Sequence, residues 1–517
     1  MNTATAREGI VATAFPPASD AGCAAFAAGG TAIDAAMAAA WALTVCEPSG
    51  SGLGGQTTLL VRLATGRTVA VDGHSRAPAA VSRKRLRRAD QRAGHRAMTV
   101  PTTPAVLGHV QRRYGALPLR RVLEPAIRLA EEGYAITRLQ SRQLRWCRHA
   151  LAATPAASGF LDGGRPYRRG DVFRQPALAS ALRRIAAHGS HDFYRGELAR
   201  AIVRDVQRHG GLLDAGDLGE ARPLVERDPI SAPYRGREVL SIQPPGGGVE
   251  LLFALRLLEH LDEGGANDPA RWYRALADAT YASFSERERD PAHPDTWTPA
   301  LGGVLLSQER AEGLARTLAQ RTPVAAGVDG EEPGETTHLC TADAAGNVVS
   351  LTQSIQSLFG AKVANADYGF LYNNYLSTCP RRRHRYRLAS RCLARSNAAP
   401  TLVLDKGRPV FALGAAGSRR IISALLHVLS GTLDCGLELA EAIDAPRVHA
   451  RLGGRVWLER PAATPEVCDA LSARYHTIER RATRSYGMGA VQAVELRGDG
   501  TLFAAVDPRR DGAARGW

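Results

Sequence analysis

The stretch Gly334-Glu335-Thr336-Thr337-His338 stands where helical patterns give way to strand patterns in this 517-residue chain. Before it, residues 103–133 carry apolar side chains at helical spacing. After it, residues 338–342 and 348–354 flank the turn Ala345-Gly346-Asn347, which predicts a β-hairpin. Because no low-complexity linker separates the two regions, we expect one large domain of mixed helices and strands.

A threonine at the start of a strand has a specific chemical use in some enzymes. If the peptide bond before Thr336 is cut, the Thr336 hydroxyl becomes a nucleophile and its own new α-amine can act as the base. An α-amine has an ordinary pKa of about 7.7 to 8.0, which suits general-base catalysis near neutral pH. By itself, however, a Thr-Thr pair is more typical of an ordinary strand start.

Composition limits the class of protein. Apolar residues make up 44% and charged residues 23% of the chain, as in soluble globular proteins, which excludes a disordered or many-span membrane protein. The 66 basic residues exceed the 51 acidic ones and give a net charge of +15, so a nucleic-acid partner must be considered. We expect none, because no aromatic-rich platform accompanies the arginines.

Cysteine usage and the N-terminus bear on location. The eight cysteines are far apart and form no Cys-x-x-Cys pair, so we expect buried free thiols and no metal site. Residues 1–8 lack the apolar core of a secretory signal. Residues 23–46 are interrupted by Asp34 and predict a buried helix from Thr31 onward. We therefore expect a cytoplasmic protein without a membrane partner.

A glycine-rich loop matches a cofactor motif only in its letters. Gly50-Ser51-Gly52-Leu53-Gly54-Gly55 fits G-x-G-x-x-G, but a dinucleotide site needs a strand before the loop and a helix after it. Here an alanine-rich helix pattern precedes the loop, and strand-like residues 56–63 follow it. We expect no nucleotide and no other cofactor.

Several blocks of the chain match one known pattern. They are the segment around Thr336 continuing through residues 343–352, residues 29–36 with 52–55, residues 369–374, and residues 399–401 with 414–422. Together, these blocks resemble the γ-glutamyltransferase family. The resemblance implies an α+β fold, the four-layer αββα N-terminal-nucleophile (Ntn) hydrolase, made as one precursor that cuts itself. It places the cut between Glu335 and Thr336. The large subunit, 1–335, and the small subunit, 336–517, would stay associated as one Ntn-hydrolase domain.

The same resemblance implies a catalytic set. Thr336 is the nucleophile of both self-cleavage and amide cleavage, and Thr352 and Ser354 supply hydroxyls from the second hairpin strand, Ser354 as the partner of the Thr336 amine. The oxyanion hole aligns with Gly417-Ser418, where backbone N–H groups ahead of a helix stabilise an anion. Residues 418–430 predict that helix, with Ser418 as its N-cap.

The positions that bind the γ-glutamyl group in the family are changed here. His74 replaces the arginine that binds the substrate α-carboxylate, and Thr378 replaces the acidic residue that binds the α-amine. The other expected substrate-binding residues are Gln356, Tyr375, Ser396 and Asn397. Residues 381–387 are unusually basic; a solvated loop is the simpler expectation, and attraction of an anionic substrate is the alternative.

The resemblance therefore implies a self-processing amidohydrolase or acyltransferase. It would cleave a γ-glutamyl-type or related small-molecule acyl amide through an acyl-enzyme on Thr336 and pass the acyl group to water or an amine. The changed positions leave open a dedicated acylase for a non-glutamyl acyl group, cephalosporin-acylase-like or biosynthetic. A non-catalytic scaffold relative is a second alternative, against which the retained Thr336, Thr352 and Ser354 argue.

Overall fold

The structure is a computed structural model that describes residues 2–220, 225–261, 268–320 and 334–517. Its helices are α1 (Pro16–Ala27), α2 (Ala32–Cys46), α3 (Thr103–Tyr114), α4 (Leu119–Glu132), α5 (Arg138–Leu151), α6 (Pro155–Ser158), α7 (Pro176–His188), α8 (Asp192–Arg195), α9 (Glu197–Arg208), α10 (Ala215–Gly219), α11 (Gly248–Leu261), α12 (Pro269–Arg289), α13 (Pro299–Leu305), α14 (Gln308–Gln320), α15 (Arg420–Leu433), α16 (Leu439–Asp444) and α17 (Pro465–Ser472). Its strands are β1 (Asn2–Ala6), β2 (Gly9–Thr13), β3 (Gln56–Arg62), β4 (Thr68–Gly73), β5 (Tyr134–Ala135), β6 (Val172–Phe173), β7 (Val225–Arg227), β8 (Ile230–Tyr234), β9 (Arg237–Ser241), β10 (Glu335–Asp343), β11 (Val348–Gln356), β12 (Thr401–Asp405), β13 (Arg408–Ala416), β14 (Val448–Arg451), β15 (Arg455–Glu459), β16 (Thr477–Arg481), β17 (Ala490–Leu496), β18 (Leu502–Val506) and β19 (Ala513–Gly516).

Two seven-stranded sheets form the centre of the molecule. The strand order is β1-β18-β17-β13-β12-β9-β8 in the first sheet and β19-β2-β10-β11-β3-β4-β7 in the second. Neighbouring strands in both sheets are antiparallel. Each sheet takes strands from both sides of residue 335, so the two parts of the sequence build one fold.

Apolar packing divides this fold into four layers. Alternate residues of a strand face opposite sides of a sheet, so Cys340 of β10 packs between the sheets with Leu402. Its neighbour Leu339 faces the other way, into the core that contains Trp41 of α2. Helices α11, α12 and α15 cover the outer face of the first sheet, with Leu425 in their core. The predicted αββα architecture is thereby confirmed.

Two local predictions are confirmed and one is wrong. The predicted hairpin is β10 and β11, extended to Glu335 and Gln356. Helix α2 begins where expected, because Thr31 and Asp34 form a reciprocal capping box. Ser418, in contrast, is not the N-cap of α15. Its φ is +60° and the helix begins at Arg420, so Ser418 belongs to the turn before the helix.

The glycine-rich loop at 50–55 serves close packing. A Cβ atom built on Gly54 would lie 2.1 Å from the carbonyl oxygen of Leu371, so only glycine fits. The side chain of Asn373 then donates a 2.7 Å hydrogen bond to the Gly54 carbonyl. The loop thereby joins α2 to β3 and packs against the segment that follows residue 370.

Across the described ranges, helices long and apolar enough to cross a membrane are absent.

Candidate active site

The peptide bond between Glu335 and Thr336 lies buried at the start of β10. The two residues are 3% and 6% exposed. The Ser354 hydroxyl of β11 donates a 2.7 Å hydrogen bond to the Glu335 carbonyl oxygen and accepts one of 2.9 Å from the N–H of Gln356. The regular strand register is broken between Glu335 and Thr337. In the uncut chain, Ser354 therefore polarises the carbonyl of the bond predicted to be cut.

The side chain of Glu335 is held by two residues that sequence reasoning missed. The Arg510 guanidinium and the Tyr486 hydroxyl both bond to its carboxylate, and we call this pair the Glu335 clamp. Arg510 also donates a 3.3 Å hydrogen bond to the carbonyl of Thr336 and stacks over the Tyr486 ring at 4.7 Å. The clamp fixes the chain on both sides of the candidate cleavage site.

A second buried carboxyl group lies close to the same peptide. Burial raises the pKa of Glu47 to about 8, although Thr337 and Arg510 lower it in part, so this carboxyl is mainly protonated at pH 7. Three residues further on, Gly50 packs against Thr336, since a Cβ atom built on Gly50 would lie 3.4 Å from the Thr336 carbonyl carbon. The loop after α2 therefore packs directly against the backbone of Thr336, the candidate nucleophile.

The turn predicted to be the oxyanion hole lies against this segment. Gly417 and Ser418 both have positive φ, +131° and +60°. A Cβ atom built on Gly334 would lie 2.9 Å from the Cβ and Oγ atoms of Ser418, so only glycine fits there. Helix α15 begins two residues after Ser418, and its N-terminal end favours negative charge nearby.

Thr352, also predicted to be catalytic, bonds to His338 rather than to Thr336. Its Oγ1 lies 2.9 Å from His338 Nδ1. Burial lowers the pKa of His338 to about 3, so the ring is neutral, and a Cβ atom on Gly414 would lie 2.0 Å from it. Thr352 therefore orients a buried histidine between the two sheets.

A cavity of about 590 Å³ opens beside these groups. Five predicted site residues line it together: Gln356, Thr378, Ser396, Asn397 and Ser418. Thr378 donates its hydroxyl to the Tyr375 carbonyl at 2.9 Å, and Arg287 holds Asn397 Oδ1 at 2.6 Å. Four of the six expected substrate-binding residues thus share one cavity with Ser418 of the predicted oxyanion turn.

The other two expected binding residues, His74 and Tyr375, are buried and do not line this cavity. The His74 ring is buried and its Nδ1 lies 2.6 Å from Asp72 Oδ1. Burial tends to raise the pKa of Asp72, but His74 and Arg227 hold it below its ordinary value. The Asp72 carboxylate therefore stays charged and lies in contact with the His74 ring. Tyr375 is 1% exposed, and burial raises the pKa of its hydroxyl, which lies beside Ser354.

Arginine dominates the wall of the cavity. Seven arginines line it against one acidic residue, Glu288: Arg88, Arg92, Arg287, Arg381, Arg382, Arg395 and Arg419. Glu288 lies 2.8 Å from Arg395, 3.1 Å from Arg382 and 3.2 Å from Arg419. Burial tends to raise the pKa of Glu288, but the guanidinium groups of Arg395, Arg419 and Arg287 hold it below its ordinary value.

The excess of positive charge affects the arginines of the wall themselves. Burial and the neighbouring Arg287 lower the pKa of Arg395, so an anion bound in the cavity would relieve the repulsion. In addition, Arg381 donates to the Leu86 carbonyl at 2.8 Å and reaches the cavity. Arg381 is therefore half-buried, whereas Arg382 is exposed, as the expectation of a solvated loop at 381–387 requires.

One cluster in the described residues resembles a metal site. Ligand atoms of His95, Asp205 and His209 lie within 4.8 Å of one another. The two imidazole rings are stacked, however, with centroids 4.3 Å apart and planes inclined by 10°. A metal ion binds in the plane of an imidazole ring, so two nearly parallel stacked rings cannot share one in this arrangement. The Tyr372 hydroxyl donates to Asp205 at 2.9 Å instead.

Comparison with known proteins agrees with this geometry. The family model described as gamma-glutamyltranspeptidase matches residues 18–517. The "Acylase ACY 1 proenzyme" of Pseudomonas sp. (strain V22) is 36% identical over 98% of this chain and 93% of its own length. The "Glutathione hydrolase proenzyme" of Escherichia coli (strain K12) is 30% identical over 98% and 91%. The crystal structure of cephalosporin acylase from Bacillus halodurans superimposes with a TM-score of 0.90 at 29% identity, covering 100% of this chain and 97% of that one. This chain therefore belongs to the gamma-glutamyltranspeptidase family, as an amide hydrolase or acyltransferase with the Ntn-hydrolase fold.

Proposed function

We propose that this protein cuts its own chain before Thr336 and then acts as a threonine acylase. The contact that carries the proposal is the hydrogen bond from Ser354 to the Glu335 carbonyl. Thr336 Oγ attacks that carbonyl carbon, the proton passes to the departing Thr336 nitrogen, and an ester forms on Oγ. Water then cleaves the ester, leaving a Glu335 carboxylate and a free Thr336 amine.

The mature reaction uses the same hydroxyl. Thr336 Oγ attacks the substrate amide while the Thr336 amine takes its proton and returns it to the leaving amine. The backbone N–H groups of Gly417 and Ser418 stabilise the oxyanion, and Ser354, no longer bonded to the Glu335 carbonyl, binds the Thr336 amine. Water or an amine then accepts the acyl group.

The cavity favours an acyl group that carries a carboxylate and lacks an ammonium group. Seven arginines line the cavity, and Thr378 offers a hydroxyl where the family has an acidic side chain. One relative and one solved structure carry the name acylase, which supports a deacylation reaction. A γ-glutamyl substrate is the second candidate, supported by the relative named as a glutathione hydrolase.

Purified protein is expected to separate on a denaturing gel into two chains. Dividing 55.2 kDa in proportion to the residues on either side of the bond gives roughly 36 and 19 kDa. N-terminal sequencing of the smaller chain should begin Thr336-Thr337-His338. A chain that stays whole after long incubation would contradict the proposed mechanism.

Breaking the Glu335 clamp is expected to slow self-cleavage without unfolding the protein. The change Glu335→Gln removes the charge paired with Arg510, and a hydrogen bond to a charged group contributes about 1.5 to 3 kcal/mol. We expect cleavage to slow by roughly 10- to 100-fold, followed as the fraction of cut chain over time.

The matched control for the clamp is Arg515→Met. Arg515 also lies near the C-terminus, but it pairs with Asp20 at the surface, so this variant should cut at the wild-type rate. Activity per cut molecule should be unchanged in Glu335→Gln, because Glu335 has left the reacting bond once cleavage is complete. Wild-type cleavage kinetics in Glu335→Gln would show that the clamp has no role in positioning.

A further inference from the structure

The basic segment that walls the cavity begins and ends with a cysteine. Cys379 is 2% exposed and lines the cavity, whereas Cys392 is half-buried. Their Sγ atoms lie 3.6 Å apart, which is contact distance for two sulfur atoms. Both are free thiols in this structure. The pair is therefore placed to react across the base of the loop formed by residues 380–391.

Hydrogen bonds already fix both ends of this loop. The side chain of Gln91 donates to the Cys379 carbonyl at 3.0 Å, and the N–H of Ala77 donates to the Cys392 carbonyl at 2.8 Å. Within the loop, the N–H of Leu388 donates to the Pro380 carbonyl at 2.8 Å. Since a disulfide has an S–S distance of about 2.05 Å, the sulfur atoms need to approach by only about 1.5 Å.

We propose that Cys379 and Cys392 form a disulfide that closes residues 380–391 against the cavity, with a small disulfide such as oxidised glutathione as the oxidant. Cys392 Sγ attacks one sulfur of the oxidant, which forms a mixed disulfide and releases one glutathione thiolate. Cys379 Sγ then attacks Cys392 Sγ and releases the second. Two protein thiols are oxidised and one small disulfide is reduced to two thiols.

The surroundings of the two thiols support this order of attack. Contact with Cys379 lowers the pKa of Cys392, although burial opposes the effect, and Arg76 also favours the thiolate. The same contact, together with burial, raises the pKa of Cys379. Cys392 is thus both the more exposed and the more readily ionised thiol, as the first nucleophile must be.

We expect the disulfide between Cys379 and Cys392 to strengthen the binding of an anionic substrate. Arg381 and Arg382 lie inside it and reach the cavity wall, so a covalent closure holds their guanidinium groups there. For an anionic acyl amide we expect a lower KM in the oxidised protein and a nearly unchanged kcat. This consequence rests on the proposed function, whereas formation of the bond does not.

Mass spectrometry tests the bond directly on the full chain. After reduction and then incubation with oxidised glutathione, the total mass should fall by about 2 Da, and two thiols should resist alkylation. Digestion should yield a joined pair of peptides containing Cys379 and Cys392. The variant Cys392→Ser should lose these signals, and Cys147→Ser, which removes another half-buried cysteine, should keep them. Alkylation of all eight cysteines, or a lasting glutathione adduct on Cys392, would overturn the proposal.

Kinetics test the consequence separately. Reduction should raise the KM for glutaryl p-nitroanilide severalfold in the wild type and leave it unchanged in Cys392→Ser. A disulfide with no change in KM would refute the effect on the cavity. Lack of turnover of this substrate by either form would count against the proposed function, while the mass measurement would still decide the bond.

Discussion

Replacing Thr336 with alanine is expected to leave the chain in one piece and to abolish turnover of every acyl amide that the wild type accepts. The Thr336 hydroxyl is the proposed nucleophile of both reactions. The first reaction also frees the Thr336 amine, which acts as the base in the second. Removing a catalytic nucleophile has cost about 10⁶-fold in kcat in a well-measured case. Thr336→Ser, which keeps a hydroxyl, should retain part of both activities.

This experiment needs a control that distinguishes loss of folding from loss of catalysis, and a second threonine of β10 provides it. Thr341 is another buried threonine of β10, and its hydroxyl donates a 2.7 Å hydrogen bond to the Ala32 carbonyl. Thr341→Ala should lose some stability, since a buried acceptor loses its partner, and should still cut itself. The melting temperature of Thr336→Ala should equal that of wild-type protein that has not yet been cut. Turnover by Thr336→Ala would show that another group is the nucleophile.

Local features of the site could be predicted from the sequence. Alternating apolar residues around a short turn define the β10–β11 hairpin, because a strand pattern is read over a few residues. The capping box of Thr31 and Asp34 likewise lies within one helical turn. Thr336, Ser354 and the Gly417-Ser418 turn were found through family motifs, and the structure brings them together around one peptide bond.

Features assembled from distant segments could not be predicted in this way. Arg510 meets Glu335 across 175 residues of sequence, and it carries no motif among many other arginines. His74 was found by its position, but the direction of its ring is set by Asp72 two residues earlier. The arginine wall is built from separate segments of the chain, so the basic stretch at 381–387 does not reveal by itself that it faces a cavity.

We propose that the composition of this wall favours an acylase over a γ-glutamyltransferase. A γ-glutamyl group carries both an α-carboxylate and an α-ammonium. Arginine side chains of the wall can bind the carboxylate, but Glu288, the acidic residue in the lining, is already surrounded by Arg382, Arg395 and Arg419. The ammonium would therefore enter a site of like charge without an acidic partner.

Ordinary γ-glutamyl amides, glutathione included, are accordingly expected to be poor substrates. Each hydrogen bond to a charged group contributes about 1.5 to 3 kcal/mol. Loss of the family's contacts at His74 and Thr378 corresponds to roughly 3 to 6 kcal/mol, or about 10²- to 10⁴-fold in kcat/KM relative to an enzyme that keeps both. The comparison is kcat/KM for γ-glutamyl, glutaryl and pentanoyl p-nitroanilides.

Glutaryl anilide should be the best of the three, because it keeps the distal carboxylate and lacks the ammonium. Its advantage over pentanoyl anilide should shrink at high salt, as expected for a charge interaction. The variant Thr378→Asp places a carboxylate on the cavity wall and should raise kcat/KM for the γ-glutamyl compound while lowering it for the glutaryl one. Thr378→Asn, of similar size but uncharged, should do neither. A wild-type preference for γ-glutamyl anilide would mean that another group binds the ammonium, and the protein would then act as a γ-glutamyltransferase.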